Sequence, residues 1–161
     1  MTAPAKILNL PDETRDRLRL WLRILKVERF VEAELRERLR VEHASTLPRF
    51  DVLAALSRSD NGLRMSEISA TLKVSNGNVT GIVDRLVEDG MVTRMAVAGD
   101  RRAYRVKLTD KGTAHFAELA AAHAGWIDRM FASLDADTAE SLTAHLDALI
   151  AAMPIDGKEK S

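Results

Sequence analysis

The chain of 161 residues contains no cysteine, and this absence removes several kinds of site at once. Without thiols there is no disulfide framework, no thiolate nucleophile, no cysteine zinc site and no cysteine-based oxidant sensor. No apolar run reaches the roughly 18 residues of a membrane-spanning helix, and residues 1–6 lack the apolar core of a signal peptide. We therefore expect a cytoplasmic protein that has no membrane partner.

An excess of charge of one sign is also missing, because 24 Lys and Arg residues balance 24 Asp and Glu residues. A neutral chain is not an obvious nucleic-acid binder. The balance is uneven along the chain, however. Basic and acidic residues number ten and eight in residues 1–46, eleven and eight in 47–112, and three and eight in 113–161. The basic middle keeps nucleic-acid binding open.

The first part of the chain predicts one long amphipathic helix from about Leu10 to His43. Pro11 and the acidic residues after it favour a helix start. Apolar residues then recur at helical spacing, and further apolar residues widen the stripe. A band this broad needs more than one neighbour, which is typical of a helix that completes a dimer core. The stripe contains Leu18, Leu20, Trp21, Leu22, Ile24, Leu25, Val27, Val31 and Leu35.

Acidic and basic residues alternate on the polar face of this helix, which leaves two interpretations open. A solvated face with ion pairs one turn apart is the favoured one. The other is an arginine cluster that binds an anionic ligand. The residues concerned are Arg36, Glu37, Arg38, Arg40 and Glu42.

The middle part predicts three short helices followed by a β-hairpin. Pro48 opens the first helix, Ser66 can cap a second helix over Glu67–Leu72, and Ser75 or Asn76 opens a third that ends near Gly90. Period-two patterns then predict strands over 91–95 and 104–108, joined by a turn over 97–102. This order is typical of a winged helix-turn-helix.

The last part predicts two helices. Thr109 can cap the first, which extends to about Phe131, and Asp135 can cap the second, which ends before Pro154. The second helix again carries an apolar stripe. We therefore expect a mainly α protein with a small β-hairpin wing, in which residues 47–112 form the winged helix-turn-helix and residues 1–46 and 113–161 form a helical dimerisation region.

The start of the third short helix has the chemistry of a recognition helix. No charged residue occurs between Ser75 and Asp84, so hydroxyls, amides and glycines are available to read base edges and to let the helix approach the groove closely. A polar capping segment on an ordinary helix is the alternative, but the hairpin that follows favours DNA. The candidate contacts on this helix are Ser75, Asn76, Asn78, Thr80 and, toward a phosphate, Arg85.

The hairpin supplies the second set of candidate DNA contacts. We expect Asp100, Arg101 and Arg102 at its tip, where an arginine can enter the minor groove. The acid can brace the neighbouring arginine or shape the turn. Arg94, Arg105 and Lys107 flank the strands and can reach phosphates.

Residues 49–112 resemble the DNA-binding core of the MarR family of bacterial regulators, and the outer helices fit as well. The resemblance implies a homodimer that binds double-stranded DNA at a palindromic operator, with half-site centres about 10 bp apart. It also implies a transcription regulator, which we expect to be a repressor and not an enzyme. The motifs that carry the resemblance are Met65-Ser66-Glu67-Ile68-Ser69, Gly77-Asn78-Val79-Thr80, Asp84-Arg85-Leu86, Glu88-Asp89-Gly90-Met91-Val92, Asp100-Arg101-Arg102 and Leu108-Thr109-Asp110-Lys111-Gly112.

A narrower resemblance concerns the ligand. The stretch from Phe116 to Leu134 is similar to the sub-group that senses hydroxycinnamates and their coenzyme A thioesters, which implies a small anionic aromatic ligand. Core packing, or a satisfied histidine at a dimer interface, explains the same residues without a ligand. The implied pocket residues are Trp21, Ile24, Phe50, His123 and Trp126, and the residues implied for coenzyme A phosphates are Arg29, Arg36, Arg38 and Arg40.

Other functions have less support in the sequence. The four histidines form no pair at i,i+4 spacing, so we expect no metal site and no cofactor. No catalytic triad or paired-carboxylate set has a supporting context. Three alternatives stay open: an adaptor of the same fold without operator binding, a MarR-type regulator of a drug, phenolic acid or metal, and an acyl-CoA enzyme.

Overall fold

The computed structural model describes residues 11–72 and 76–153, with backbone only at residues 76 and 100–102. The chain forms two compact units, Met1–Ala124 and Gly125–Ser161. None of the described helices combines the length and the apolar character needed to cross a membrane. The described elements are α1 (Asp12–His43), α2 (Leu47–Ser57), β1 (Leu63–Arg64), α3 (Met65–Leu72), α4 (Asn76–Glu88), β2 (Val92–Val97), β3 (Asp100–Leu108), α5 (Asp110–Met130) and α6 (Ala136–Ala152).

The long first helix is confirmed, although it begins at Asp12 after Pro11 and not at Leu10. Asp12 and Glu13 lie in its first turn, next to the positive end of the helix dipole. Within α1 only Leu35 and Leu39 are buried. Most of the predicted apolar stripe therefore lies exposed in the single chain.

The core of the first unit holds α4 against α2, α3 and the sheet. Val79, Val83 and Leu86 of α4 are fully buried, which fixes one face of that helix inward. Because these residues recur at intervals of three and four, the opposite face of α4 points outward. Fully or almost fully buried partners from the other elements are Val52, Leu53, Leu56, Ile68, Val92 and Val106.

The sheet has three antiparallel strands in the order β1-β3-β2, where two were predicted. The added strand, β1, pairs Leu63 with Val106 and Arg64 with Arg105. The fold class is nevertheless the predicted one, a mainly helical protein with a small β wing. Because β1 leads directly into α3, its pairing with β3 connects the hairpin to the helices.

Two local predictions in the middle part were wrong. Ser66 is not the cap of α3, because the helix already begins at Met65. Instead the Glu67 carboxylate reaches back and accepts a hydrogen bond from the Arg64 amide, with N···Oε2 2.6 Å. This is the carboxylate half of a capping box.

The hairpin turn is also shorter than the six residues predicted. β2 extends to Val97, β3 begins at Asp100, and Gly99 between them has φ +85°. Residues 100–102 therefore begin β3 next to the turn, and they do not form the tip itself. A register irregularity between Ala96 and Val97 accompanies the tight connection.

The predicted caps of the last two helices are confirmed. The Thr109 hydroxyl accepts a hydrogen bond from the Gly112 amide at 3.0 Å, at the start of α5. In the second unit the Asp135 carboxylate accepts one from the Thr138 amide at 2.8 Å, at the start of α6. That hydrogen bond lowers the pKa of Asp135. All described residues of α6 are exposed in the single chain.

Candidate nucleic-acid interface

The outward face of α4 is built from small and polar residues. Gly77, Asn78, Thr80, Gly81 and Arg85 are exposed, while the alternate face of the helix is buried. Asn76 is the first residue of α4, with its side chain outside the description, and Ser75 lies outside the described residues. The buried residues of α4 thus leave one exposed face on this helix. We call this face, formed by Gly77, Asn78, Thr80, Gly81 and Arg85, the ridge of α4.

Gly77 and Gly81 stand four residues apart on this face, and no contact among the described residues requires glycine at either position. A Cβ at either position would meet no atom within 4 Å. Their φ values are also not in the left-handed region, since the positive-φ glycines of the described residues are Gly62, Gly90 and Gly99. Glycine inside a helix costs about 1 kcal/mol relative to alanine. The fold thus gives no reason for either glycine.

Arg94 of β2 is held by side chains of its own fold. Its guanidinium donates to the Asp84 carboxylate of α4 and lies over the Tyr104 ring of β3, 5.2 Å from the centroid. The hydrogen bond to Asp84 raises the pKa of Arg94 above its ordinary value. This arginine therefore ties the wing to α4, and its contact with a phosphate stays a prediction.

Arg105 is also used within the fold. Its Nη1 donates to the Gly62 carbonyl at 2.7 Å and lies 3.7 Å from the Glu67 carboxylate. Lys107 is exposed on the same strand. The side chains of Arg101 and Arg102 lie outside the description, so their predicted contacts with DNA stay predictions.

The arginines of α1 are mostly paired with acids one turn away. Arg36 bonds Glu32, Arg40 bonds Glu37, and Arg38 lies between Glu34 at 2.7 Å and Glu42 at 3.2 Å. This is the pattern expected of a solvated helix face. The hydrogen bond with Arg40 lowers the pKa of Glu37. Arg29 lies exposed on the same helix.

An aromatic group joins α2 to α5 in the first unit. The ring of Phe50 stacks on that of His123, with centroids 4.9 Å apart and planes at 18°. Phe116 packs against Phe50 at 5.8 Å, tilted by 38°. Two of the predicted pocket residues thus lie in contact, and the sequence reasoning gave Phe116 no role in the pocket although it lies two turns before His123.

Two titratable groups in this region have shifted pKa values. Burial lowers the pKa of His123, and the negative charge of Asp51 partly opposes the shift. Burial raises the pKa of Asp51, an effect opposed by His123 and reinforced by Glu32. A half-buried carboxyl and imidazole therefore adjoin the aromatic rings.

The other predicted pocket residues have different surroundings. Trp21 is exposed and Ile24 half-buried on α1. Trp126 is buried, and it belongs to the second unit. Among the described residues there is no group of three or more histidine and acidic side chains able to hold a metal ion.

Comparison with known proteins agrees with this geometry. A family model described as MarR family matches residues 45–103. The crystal structure of a MarR family transcriptional regulator from Silicibacter pomeroyi is 33% identical and aligns with 90% of this chain and 100% of that chain, with a TM-score of 0.74. The chain belongs to the MarR family of transcriptional regulators.

Two further similar proteins show how much of the chain, and how much of its function, such comparisons cover. The transcriptional regulator PecS of Dickeya dadantii is 39% identical to this MarR-family protein over 67 residues, which are 40% of either chain. The chain thus spans less than half the length of that relative. The structure of CouR from Rhodococcus jostii RHA1 bound to p-coumaroyl-CoA has a TM-score of 0.70, covers 85% of this chain and 95% of that chain, and is 19% identical. At that identity it shows the fold alone.

Proposed function

We propose that the protein is a dimeric DNA-binding repressor that a small anionic aromatic acid, or its coenzyme A thioester, releases from a palindromic operator. The observation that carries the proposal is the outward ridge of α4. It combines an exposed amide at Asn78 with glycines at positions 77 and 81 that no contact of the described part of the chain explains. Amides read base edges, and glycines let a helix approach the groove closely.

The dimer is supported by apolar side chains that one chain leaves in solvent. On α1, Leu20, Trp21 and Leu22 are each more than half exposed, as is Ile150 on α6. Large apolar side chains that are exposed next to one another are typical of a protein–protein interface. In a two-fold dimer the two copies of α4 enter successive major grooves, about one helical turn of DNA apart.

The ligand proposal is supported by the ring group of Phe50, Phe116 and His123. Its aromatic faces suit stacking on a phenyl group, and the His123 imidazole can hydrogen-bond a phenol or carbonyl. The coenzyme A part would need arginines that leave their glutamate partners on α1. Because exposed ion pairs contribute only about 0–1 kcal/mol, that exchange is open to Arg36, Arg38 and Arg40, and Arg29 is available beside them.

The alternative function is an adaptor that kept the fold and lost operator binding. It is favoured by the balanced net charge and by the internal partners of Arg94 and Arg105. The two proposals differ in their affinity for DNA of any sequence. An adaptor would bind random duplex DNA weakly even at low salt, whereas a regulator would bind it with a steep salt dependence.

A fluorescence-anisotropy titration separates these functions. The duplex is the DNA upstream of the protein's own gene, with a scrambled duplex as control. The titration is repeated with p-coumaroyl-CoA, feruloyl-CoA and the two free acids. Specific binding that a thioester releases and its acid does not would support both the repressor and the arginine-phosphate contact. Specific binding that all four leave unchanged would contradict the ligand and keep the regulator. No binding to either duplex would contradict the repressor.

A substitution on the ridge tests base reading directly. Replacing Asn78 by Ala is expected to cost about 1–3 kcal/mol of operator affinity and to relax specificity at one position in each half-site. Binding to scrambled DNA should change little, because a base contact contributes nothing there. Equal losses on operator and scrambled duplexes would show that Asn78 does not read a base.

A further inference from the structure

The end of α4 and the beginning of α5 are joined by a dense set of contacts that neither the ridge nor the aromatic group uses. The Thr109 hydroxyl donates to the Gly90 carbonyl at 2.7 Å, and the Thr109 amide donates to the Met91 carbonyl at 3.0 Å. The Lys111 ammonium donates to the Asp89 carbonyl at 2.8 Å. Three successive carbonyls after α4 are thereby held by the first residues of α5.

Two glycines make this approach possible. Gly90 has φ +71°, and the bonds from its amide to the Val87 carbonyl and from the Met91 amide to the Leu86 carbonyl form a Schellman end to α4. Gly112 lies so close to Met91 that an added Cβ would be 1.8 Å from the Met91 carbonyl oxygen. The first turn of α5 therefore rests directly on the backbone that ends α4.

A third helix converges on the same place. The Arg49 guanidinium of α2 donates to the Asp89 carboxylate, across 40 residues of sequence. The hydrogen bond from Arg49, together with its positive charge and smaller effects from Lys111 and His115, holds the pKa of Asp89 below its ordinary value. Asp89 thus bonds α2 through its side chain and α5 through its carbonyl. We call residues 49, 89–91, 109, 111 and 112 the joint.

We expect the joint to affect the orientation of α4 relative to α5 more than the stability of the fold. Both partners of the Arg49–Asp89 pair are partly exposed, with side-chain exposures of 22% and 48%, and such pairs contribute about 0–1 kcal/mol. The contacts hold the C-terminal end of α4 against the first turn of α5 at several points. The same helix α5 carries His123 about three turns beyond Gly112.

We propose that the joint makes α4 and α5 turn as one body, and that Asp89 is the positioning residue that sets the direction of the recognition helix. The proposal rests on the DNA-binding function proposed above. In a dimer, a fixed direction of α4 gives a sharp preference for one separation between half-sites. A looser joint should leave the contacts of each α4 with its own half-site unchanged. It should weaken the preference for one particular separation between the half-sites.

The first experiment measures the joint without DNA. Since the chain has no cysteine, Arg85→Cys and Ala117→Cys place one spin label on α4 and one on α5. Labelled protein is diluted with unlabelled protein, and the distance distribution is recorded by pulsed electron spin resonance. Asp89→Asn should broaden the distribution and Asp89→Glu should restore it. A distribution that Asp89→Asn leaves unchanged would overturn the positioning role of the Asp89 side chain.

The second experiment measures spacing. A binding site is first selected from random duplexes with the unaltered protein, and the separation of its halves is then changed one base pair at a time. We expect Asp89→Asn to reduce the discrimination between the best and the neighbouring separations by up to about fivefold, with recovery in Asp89→Glu. Asp16→Asn, which breaks an exposed pair on α1, is the matched control.

The outcomes of the two experiments are separable. An equal loss of affinity at every separation would assign Asp89 to stability alone and overturn the positioning role. Failure to select any DNA would contradict the proposed function, while the spin-label distances would still decide whether the joint is rigid.

Discussion

At the scale of single residues, the glycines of α4 separate the needs of folding from those of binding. Gly81→Ala should raise the free energy of unfolding by about 1 kcal/mol, because alanine is the better helix former and the new methyl meets open space. The same methyl would stand between the helix and DNA, so operator affinity should fall. Thermal unfolding and anisotropy titrations measure the two effects.

Gly125→Ala is the matched control for this prediction. Gly125 also lies inside a helix, and a Cβ there also meets no atom within 4 Å, but the residue is on α5. It should show the gain in stability without the loss in DNA affinity. If both variants bound operator as tightly as the unaltered protein, the ridge of α4 would not be the DNA-facing surface.

His123 predicts a pH dependence with a definite sign. Burial lowers the pKa of its imidazole below 6.5 in the folded chain, so the unfolded chain binds the proton more readily. The contribution of this group to stability is therefore complete above pH 6.5 and is lost as the pH falls toward the lowered pKa. Denaturant unfolding between pH 7.5 and pH 5.5 should show a smaller decline in His123→Gln than in the unaltered protein.

Asp51 contributes with the opposite sign, and its effect begins near the ordinary carboxyl pKa of 3.8. Because its pKa is raised from 3.8, the folded chain holds that proton more tightly, and stability declines as the pH rises through the shifted value. The comparison with His123→Gln at each pH measures the effect of the imidazole together with its influence on Asp51. A parallel decline in both proteins would place the titration elsewhere.

At the scale of elements, the wing and α4 are linked through Arg94, and salt dependence shows what that arginine does. If Arg94 acts only as a brace to Asp84, Arg94→Ala should weaken operator binding without changing the slope of log affinity against log salt. Arg101→Ala with Arg102→Ala should lower both the affinity and the slope, since phosphate contacts release counterions. A slope reduced by about 1 in Arg94→Ala would instead identify a phosphate contact.

The elements also show where sequence reasoning succeeds and where it stops. Long periodic segments such as α1 and α4 were predicted to within about two residues, because each carries apolar residues that recur at helical spacing. β1 was missed, since two residues are too short to display a period of two. The turn was predicted too long because β3 already begins at the polar residue Asp100, which pairs with Val97. Arginines assigned to phosphates have acidic partners that only the tertiary structure brings near, as Arg94 and Asp84 illustrate.

At the scale of the whole molecule, α6 exposes a stripe of apolar residues formed by Leu142, Leu146, Leu149 and Ile150. This stripe predicts a dimer that a single charged substitution can disrupt. Leu146 is 44% exposed in the single chain, so glutamate there should leave the fold of one chain unchanged. In a dimer the charge would be buried, and sedimentation should show monomers at concentrations where the unaltered protein is dimeric. Ala144→Glu lies on the opposite face of α6 and should remain dimeric. Identical sedimentation of the two variants would contradict a dimer interface on this stripe.

The ion pairs along α1 have a consequence for how the protein is made. They join residues three or four apart, so they form without any other element. At 32 residues, α1 also exceeds the roughly 12–15 residues below which isolated helices are marginal. The helix can therefore be complete on the ribosome before the winged helix is synthesised. We therefore expect the exposed apolar side chains of α1 to be available to a second copy of the helix before the winged helix has folded.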